Sequence, residues 1–362
     1  LAAAVTAVDG TFRLQDVPAG TSIPLALQKG RWRRSFTLPT VTACADTAVA
    51  DGVLRLPRNK SEGDLPRVAA VTGAADTLEC VLRRVGVDDT EYTAPGGTGR
   101  IHVYPAATNG GAKVSGTATD ATLWASQDTV NGYDALLLGC QGTEVARSAA
   151  DLAKFTAYAN AGGRVLAEDM AYTWLYDNPP FSTVVGWNVQ QAQPPSPSTL
   201  DVFQGSPDGA ALASWLTLVG ASATTGKIQL VSLRHNFDSI SSNAALWLSL
   251  PAASSGAPVS FSARTPVGAA PADWCGEVLF QDFHTMSASV AAGTVFPAEC
   301  SAGGVTAQEK LGIHQILELT GATEAPVLVA TCTPRTCAEL GSTCGTVRSE
   351  ERRVGKECIA VC

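Results

Sequence analysis

The stretch that most constrains this chain runs over residues 131–175, NGYDALLLGCQGTEVARSAADLAKFTAYANAGGRVLAEDMAYTWL. Asp134 stands at the mouth of an apolar run that ends at Gly139-Cys140-Gln141-Gly142. A segment of helical spacing follows, and Gly162-Gly163 leads into a second apolar run over 164–167. The order is strand, helix, strand. A helical crossover joining two short buried strands makes them a parallel pair, and the strand C-terminal ends of such a sheet form the usual ligand crevice. Functional groups are therefore expected just after Leu138 and just after Ala167.

The same alternation extends on both sides of this stretch. Residues 67–71 read as a short buried strand and 76–85 as a helix, with Leu78, Val81, Leu82 and Val85 at helical spacing. Further strands are expected over 101–104, 227–233, 259–262 and 277–281, and a helix over 208–219. Thr306 and Glu309 have capping-box spacing at the start of a last helix. The fold class is α/β, a mostly parallel sheet flanked by helices, over residues 66–325. Gly96-Gly97-Thr98-Gly99 precedes a strand and has no P-loop lysine, so it is not a phosphate cradle.

Composition narrows the partners. The net charge of −8 and the absence of a basic face exclude a nucleic-acid binder, because phosphate contacts supply most of such affinity. No run of about 18 apolar residues exists to span a membrane. A small-molecule, carbohydrate or peptide ligand is the remaining class. Ten cysteines are many for a cytosolic chain, and Cys332, Cys337, Cys344, Cys358 and Cys362 crowd into a tail over 326–362. They read as disulfides of an exported protein. Cys275 and Cys300 bracket the Asp282-Phe283-His284 turn and are expected to be bridged; Cys80 with Cys140 is a second candidate pair.

Two flanking regions complete the division. Residues 1–44 carry turn and strand signals of a partial β-sandwich, and 45–65 a polar linker. The chain opens in the middle of that β pattern, so a fragment is expected, lacking any N-terminal signal or anchor. The string Asp9-Gly10-Thr11-Phe12-Arg13-Leu14-Gln15-Asp16-Val17-Pro18-Ala19-Gly20 resembles carboxypeptidase-regulatory-like, transthyretin-like modules of secreted bacterial proteins. At the other end, Cys332 to Gly345 resembles short cysteine-rich repeats of bacterial surface proteins. Residues 348–358, RSEERRVGKEC, look like a translated adapter read, so 348–362 are expected to be non-native.

The α/β region resembles the class I glutamine amidotransferase-like, flavodoxin-like superfamily, including its ThuA-like branch. Tyr133-Asp134-Ala135-Leu136-Leu137-Leu138 before a Gly-x-x-Gly turn, the Gly162-Gly163-Arg164-Val165-Leu166 corner and a late strand ending in His284 carry the resemblance. The resemblance implies a nucleophilic cysteine on a strained turn after the Gly-Gly corner. Here that turn reads Glu168-Asp169-Met170-Ala171-Tyr172, with no cysteine.

The candidate catalytic residues are Cys140, Glu168, Asp169, Asp282 and His284. Cys140 is either a disulfide half or a nucleophile paired with His284, with Glu144 orienting the base. Glu168, Asp169, Asp282 and His284 suit either a divalent cation, the one cofactor such a cluster implies, or a hydrogen-bonded network filling the crevice. Glu144, Tyr172 and Trp174 are the candidate ligand contacts, the two aromatics as a wall for a sugar ring. The whole combination resembles bacterial cell-envelope proteins joining a carboxypeptidase-regulatory-like module, an amidotransferase-like domain and a cysteine-rich tail. The expected function is an exported or surface-anchored ligand-binding or structural protein with a catalytically degenerate domain; the alternative is a metal-assisted hydrolase acting on carbohydrate or peptide.

Overall fold

Alternating exposed and half-buried residues near the N-terminus close into one antiparallel hairpin, β1 (Gly20–Lys29) and β2 (Trp32–Val41), in register from Gly20↔Val41 to Lys29↔Trp32. It belongs to a computed structural model that describes residues 2–300 and 302–321, and beyond them only the backbone of a short antiparallel pair, Thr346–Arg348 with Ile359–Val361. The expected cysteine-rich tail, with Cys332, Cys337, Cys344, Cys358 and Cys362, lies outside the described residues. Upstream of β1, Asp9-Gly10 makes its turn, Gly10 N–H donating to Ala7 O at 2.9 Å. Phe12 stays exposed and no strand forms around it. The described part of the N-terminal β module is thus a single two-stranded sheet.

The α/β unit runs over Arg58–Gly321. It starts earlier than the expected boundary at residue 66, because the second half of the polar connection is tied down. The buried Glu91 carboxylate accepts the backbone N–H of Lys60 at 2.8 Å and of Arg100 at 2.9 Å. In chain order the unit contains β3 (Val68–Thr72), α1 (Glu79–Arg84), β4 (Tyr92–Thr93), β5 (Ile101–Pro105), α2 (Gln127–Asn131), β6 (Ala135–Leu138), α3 (Ala149–Asn160) and β7 (Arg164–Glu168). There follow β8 (Val185–Trp187), β9 (Ser198–Val202), α4 (Pro207–Leu218), β10 (Lys227–Leu230), β11 (Phe237–Ile240), β12 (Ala245–Ser249), β13 (Pro258–Thr265), β14 (Gly276–Gln281) and α5 (Ala307–Gly321).

Ten of these strands form one sheet, ordered β10-β9-β12-β13-β14-β7-β6-β3-β5-β4. The run from β14 to β4 is parallel throughout, and β13, β12, β9 and β10 extend it antiparallel. β3, β6 and β14 are buried at every position, as strands covered on both faces must be. Alternate residues serve different faces. Leu136 and Leu138 of β6, Val165 and Ala167 of β7, and Val278 and Phe280 of β14 join Phe155 and Tyr158 of α3 in one core. Leu200, Ile228 and Leu248 pack with Leu212 and Leu216 of α4 and Leu311 of α5 in another. The capping box forms as expected: Glu309 N–H donates to Thr306 Oγ1 at 3.1 Å and Thr306 N–H to Glu309 Oε2 at 2.6 Å. Among the described residues no helix is long and apolar enough to cross a membrane.

Candidate functional site

Three adjacent parallel strands deliver their C-terminal ends to one edge. β6 pairs with β7 up to Leu138↔Ala167, and β7 with β14 up to Gln281↔Glu168. Neighbouring strands lie about 4.8 Å apart, so side chains one to three residues beyond these ends meet. Cys140 follows β6, Asp169 follows β7 and His284 follows β14. β3 ends alongside, and its turn passes so close to the Cys140 backbone that a Cβ on Gly73 would overlap Cys140 O. Only glycine fits there.

Asp169 is the hub. Its Oδ2 accepts from His284 Nε2 at 2.8 Å, Arg234 Nε at 3.1 Å and Cys140 Sγ at 3.2 Å. Asp169 has a φ of 42°, in the left-handed region where a non-glycine residue is strained. The turn after β7 therefore has a bent backbone with a carboxylate standing on it. Arg234 is brought in by the bridge Leu233↔Phe283 and by its own N–H, which donates to Asp282 O at 2.7 Å.

The electrostatics follow from burial and partners. Burial raises the Asp169 carboxyl, but the hydrogen bond and attraction of His284 and the charge of Arg234 outweigh it, leaving the group below the ordinary carboxylate value. Cys140 goes the other way. Burial first, and then the negative charge of Asp169, hold its thiol well above the ordinary value, so it is a neutral donor and a poor nucleophile. Cys140, Asp169 and His284 are each at most 5% exposed.

Glu168 and Asp282 flank this trio without joining it. Glu168 points to the opposite sheet face beside its registered neighbour, where its Oε1 accepts from Gln281 Nε2 and Thr285 Oγ1. Burial raises its carboxyl even though Asp76, Thr285 and His284 oppose the shift. Asp282 accepts the backbone N–H of Asn236 at 2.6 Å and the Asn236 side-chain amide. Burial, and then repulsion from Asp169, push it up to about 8. The five candidate catalytic residues thus share one sheet edge but divide into one trio and two carboxyls with partners of their own, Glu168 through Oε1 alone.

The candidate ligand contacts also divide. Trp174 is 3% exposed, its ring 4.1 Å from that of Trp124 and under the Arg147 guanidinium, so it is packing. Tyr172 is buried, but its hydroxyl accepts from Gln190 Nε2 at 3.1 Å, and burial pushes the phenol up to about 12. The same Gln190 amide donates to the exposed Glu144 carboxylate. Glu144 is engaged by the 190 loop and has no hydrogen bond to His284.

Both expected disulfides are corrected. Cys300 is bonded to Cys80, while Cys275 and Cys140 are free. Cys275 precedes the six-residue β14, which at about 3.3 Å per residue puts it roughly 20 Å from the edge that the strand delivers. Cys80 instead sits in the first turn of α1, after β3, where it meets Cys300. Arg234, Asp76 and Asn236 are site neighbours that no sequence motif marks. A basic residue directly after an apolar strand was the available signal for Arg234, since a buried carboxylate needs a countercharge.

No protein-family model and no curated protein sequence matches the chain. Solved structures with similar backbones do exist. The N-terminal domain of IFT52 aligns at a TM-score of 0.40 and 9% identity, covering 72% of this chain and 99% of that one. A ThuA-like protein from Bacteroides uniformis aligns at 0.38 and 11%, covering 70% and 91%. A cytoplasmic protein from Salmonella typhimurium aligns at 0.36 and 11%, covering 81% and 94%.

Proposed function

We propose that the α/β unit is an amidotransferase-like domain that has lost thiolate chemistry and works as a ligand-binding module of an exported or surface-anchored protein. The observation that carries this reading is the turn after β7. Its left-handed backbone bears Asp169, whose Oδ2 is already held by His284, Arg234 and Cys140. A carboxylate committed to three donors and closed from solvent stabilises the fold of the edge rather than attacking a substrate. The Cys80–Cys300 bond supports export, because disulfides persist in oxidising compartments. The β1–β2 hairpin is read as part of a carboxypeptidase-regulatory-like spacer.

The ligand class is a carbohydrate or peptide. Around the closed trio the rim is polar: Glu144, Gln190 and Ser287 are exposed, and Arg234 is a quarter exposed. Hydroxyl-rich or amide-rich ligands satisfy such groups, whereas an apolar ligand would leave them unpaired. The test has two arms. Thermal-shift screening against oligosaccharides and peptides is expected to find a stabilising ligand whose effect is weakened by Gln190→Ala or Glu144→Ala. Ester, amide and glycoside substrates are expected to show no turnover; turnover abolished by His284→Ala would overturn the proposal.

A further inference from the structure

Three different donor types converge at the strand edge: Cys140, Asp169 and His284 each offer a ligand atom within 4.8 Å of the other two, and Asp169 Oδ2 lies against both Cys140 Sγ and His284 Nε2. Zinc takes sulfur at about 2.3 Å and nitrogen or oxygen at about 2.0–2.2 Å, so tetrahedral ligand atoms stand roughly 3.3–3.6 Å apart. The observed separations from Asp169 Oδ2, 3.2 Å to sulfur and 2.8 Å to nitrogen, fall short of that by a few tenths of an ångström. Small side-chain rotations supply the difference. We infer that Cys140, Asp169 and His284 form a site for a borderline-soft divalent cation, zinc being the best match, and that Arg234 holds the place of that cation until it arrives.

Four further observations support the site. Asp169 Oδ1 is buried and has no hydrogen-bond partner, so half of this carboxylate's acceptor capacity is unused. Gly142 N–H points at Cys140 Sγ from 3.3 Å, the kind of donor that stabilises a metal-bound thiolate. The second ring nitrogen of His284 faces Ser287 Oγ at 3.5 Å, leaving Nε2 for the ion. Arg234 touches the same Asp169 oxygen but is a quarter exposed, against 1% for Asp169, so its guanidinium has a way out to water. Mixed sulfur, nitrogen and oxygen ligation favours zinc or cobalt over the hard magnesium and calcium ions. On binding, the cation displaces the Cys140 thiol proton and any proton on His284 Nε2, and these leave to solvent. Three protein ligands leave one position for water or a ligand group.

The experiment uses the full chain with its disulfides intact, stripped with a chelator and desalted. Titration with zinc by calorimetry is expected to show one equivalent bound, and cobalt is expected to give a thiolate-to-metal charge-transfer band. Cys140→Ser should abolish the band, and Arg234→Gln should tighten zinc binding by about tenfold or more, since it removes a positive charge a few ångströms from the ion. His235→Ala removes the exposed His235–Asp238 pair and should change nothing. Absence of the band in the parent protein overturns the inference even if Cys140→Ser fails to fold. Binding lost in His235→Ala, or unchanged in Arg234→Gln, also overturns it.

Discussion

Two clusters in this domain combine sulfur with buried carboxyls and reach opposite electrostatic states. In one, Cys140 is free, and Asp169 is drawn below the ordinary carboxylate value by His284 and Arg234. In the other, Cys80 and Cys300 are bonded, and the adjacent Glu79 and Glu299 have no facing cation strong enough to offset burial. Burial first, and then repulsion from Glu299, raise Glu79 well above its ordinary value, and burial raises Glu299. Burial pushes every one of these carboxyls the same way. What separates them is whether a cationic side chain touches the carboxylate, as Arg234 touches Asp169; the neutral donors on Glu168 do not suffice. Glu168 and Asp169 make the point within one peptide bond, the first raised and the second lowered.

The largest effect that separates the clusters is covalent. The Cys80–Cys300 bond closes a loop across 220 residues. Replacing both cysteines by alanine should cost about 5 kcal/mol in denaturant unfolding, because the constraint on the unfolded chain is lost. Cys140→Ser carries no such constraint and should cost far less; equal losses would erase the distinction. Next comes Asp169→Asn, measured in metal-free protein, which keeps the shape and tolerates the left-handed backbone but removes the charge. It should cost about 3 kcal/mol, since Arg234 and His284 lose their anion. Asp169→Ala should cost about 1 kcal/mol more, the added strain of a residue without a side-chain acceptor at positive φ. A neutral Asp169→Asn would mean that the trio contributes no stability.

The parallel core was legible in the sequence because its signals are local. Ala135–Leu138, Arg164–Glu168 and Gly276–Gln281 are short apolar runs bounded by glycine or polar residues, and the Thr306/Glu309 spacing is a capping box wherever it folds. The edge after Leu138 and Ala167 followed from strand order, whereas His284 was placed beside it only by the family resemblance. What was not legible depended on side-chain direction past the strand ends. Glu168 and Asp169 are adjacent in sequence yet face opposite ways, because one ends the pleat and the other starts a bent turn. Cysteine pairing failed for a related reason. Sequence proximity to the His284 turn pointed to Cys275, while the path of β14 carries that residue to the far edge. Arg234 enters from a loop 65 residues away, through a bridge that no local pattern announces.

The smallest effect is the one most specific to the comparison. Glu79 is 1% exposed and its carboxyl is raised, so the folded protein holds a proton that the unfolded chain releases above about 4.5. Stability from this group is therefore full below that pH and falls as pH rises. Asp169 has the opposite sign: its lowered value contributes stability above the ordinary 3.8, lost as pH falls. Glu79→Gln keeps a donor for Glu299 and removes the titration. The variant and parent should match near pH 4, and the variant should lose less stability between pH 5 and 8, read by chemical unfolding at each pH. Asp76, also raised by burial and by Glu168, keeps a residual slope of the same sign in the variant. A slope unchanged by Glu79→Gln would place the proton uptake elsewhere and remove the contrast between the clusters. A flattened slope accompanied by an intact acid-side loss in the same variant would show the two clusters titrating independently, each set by its own partners.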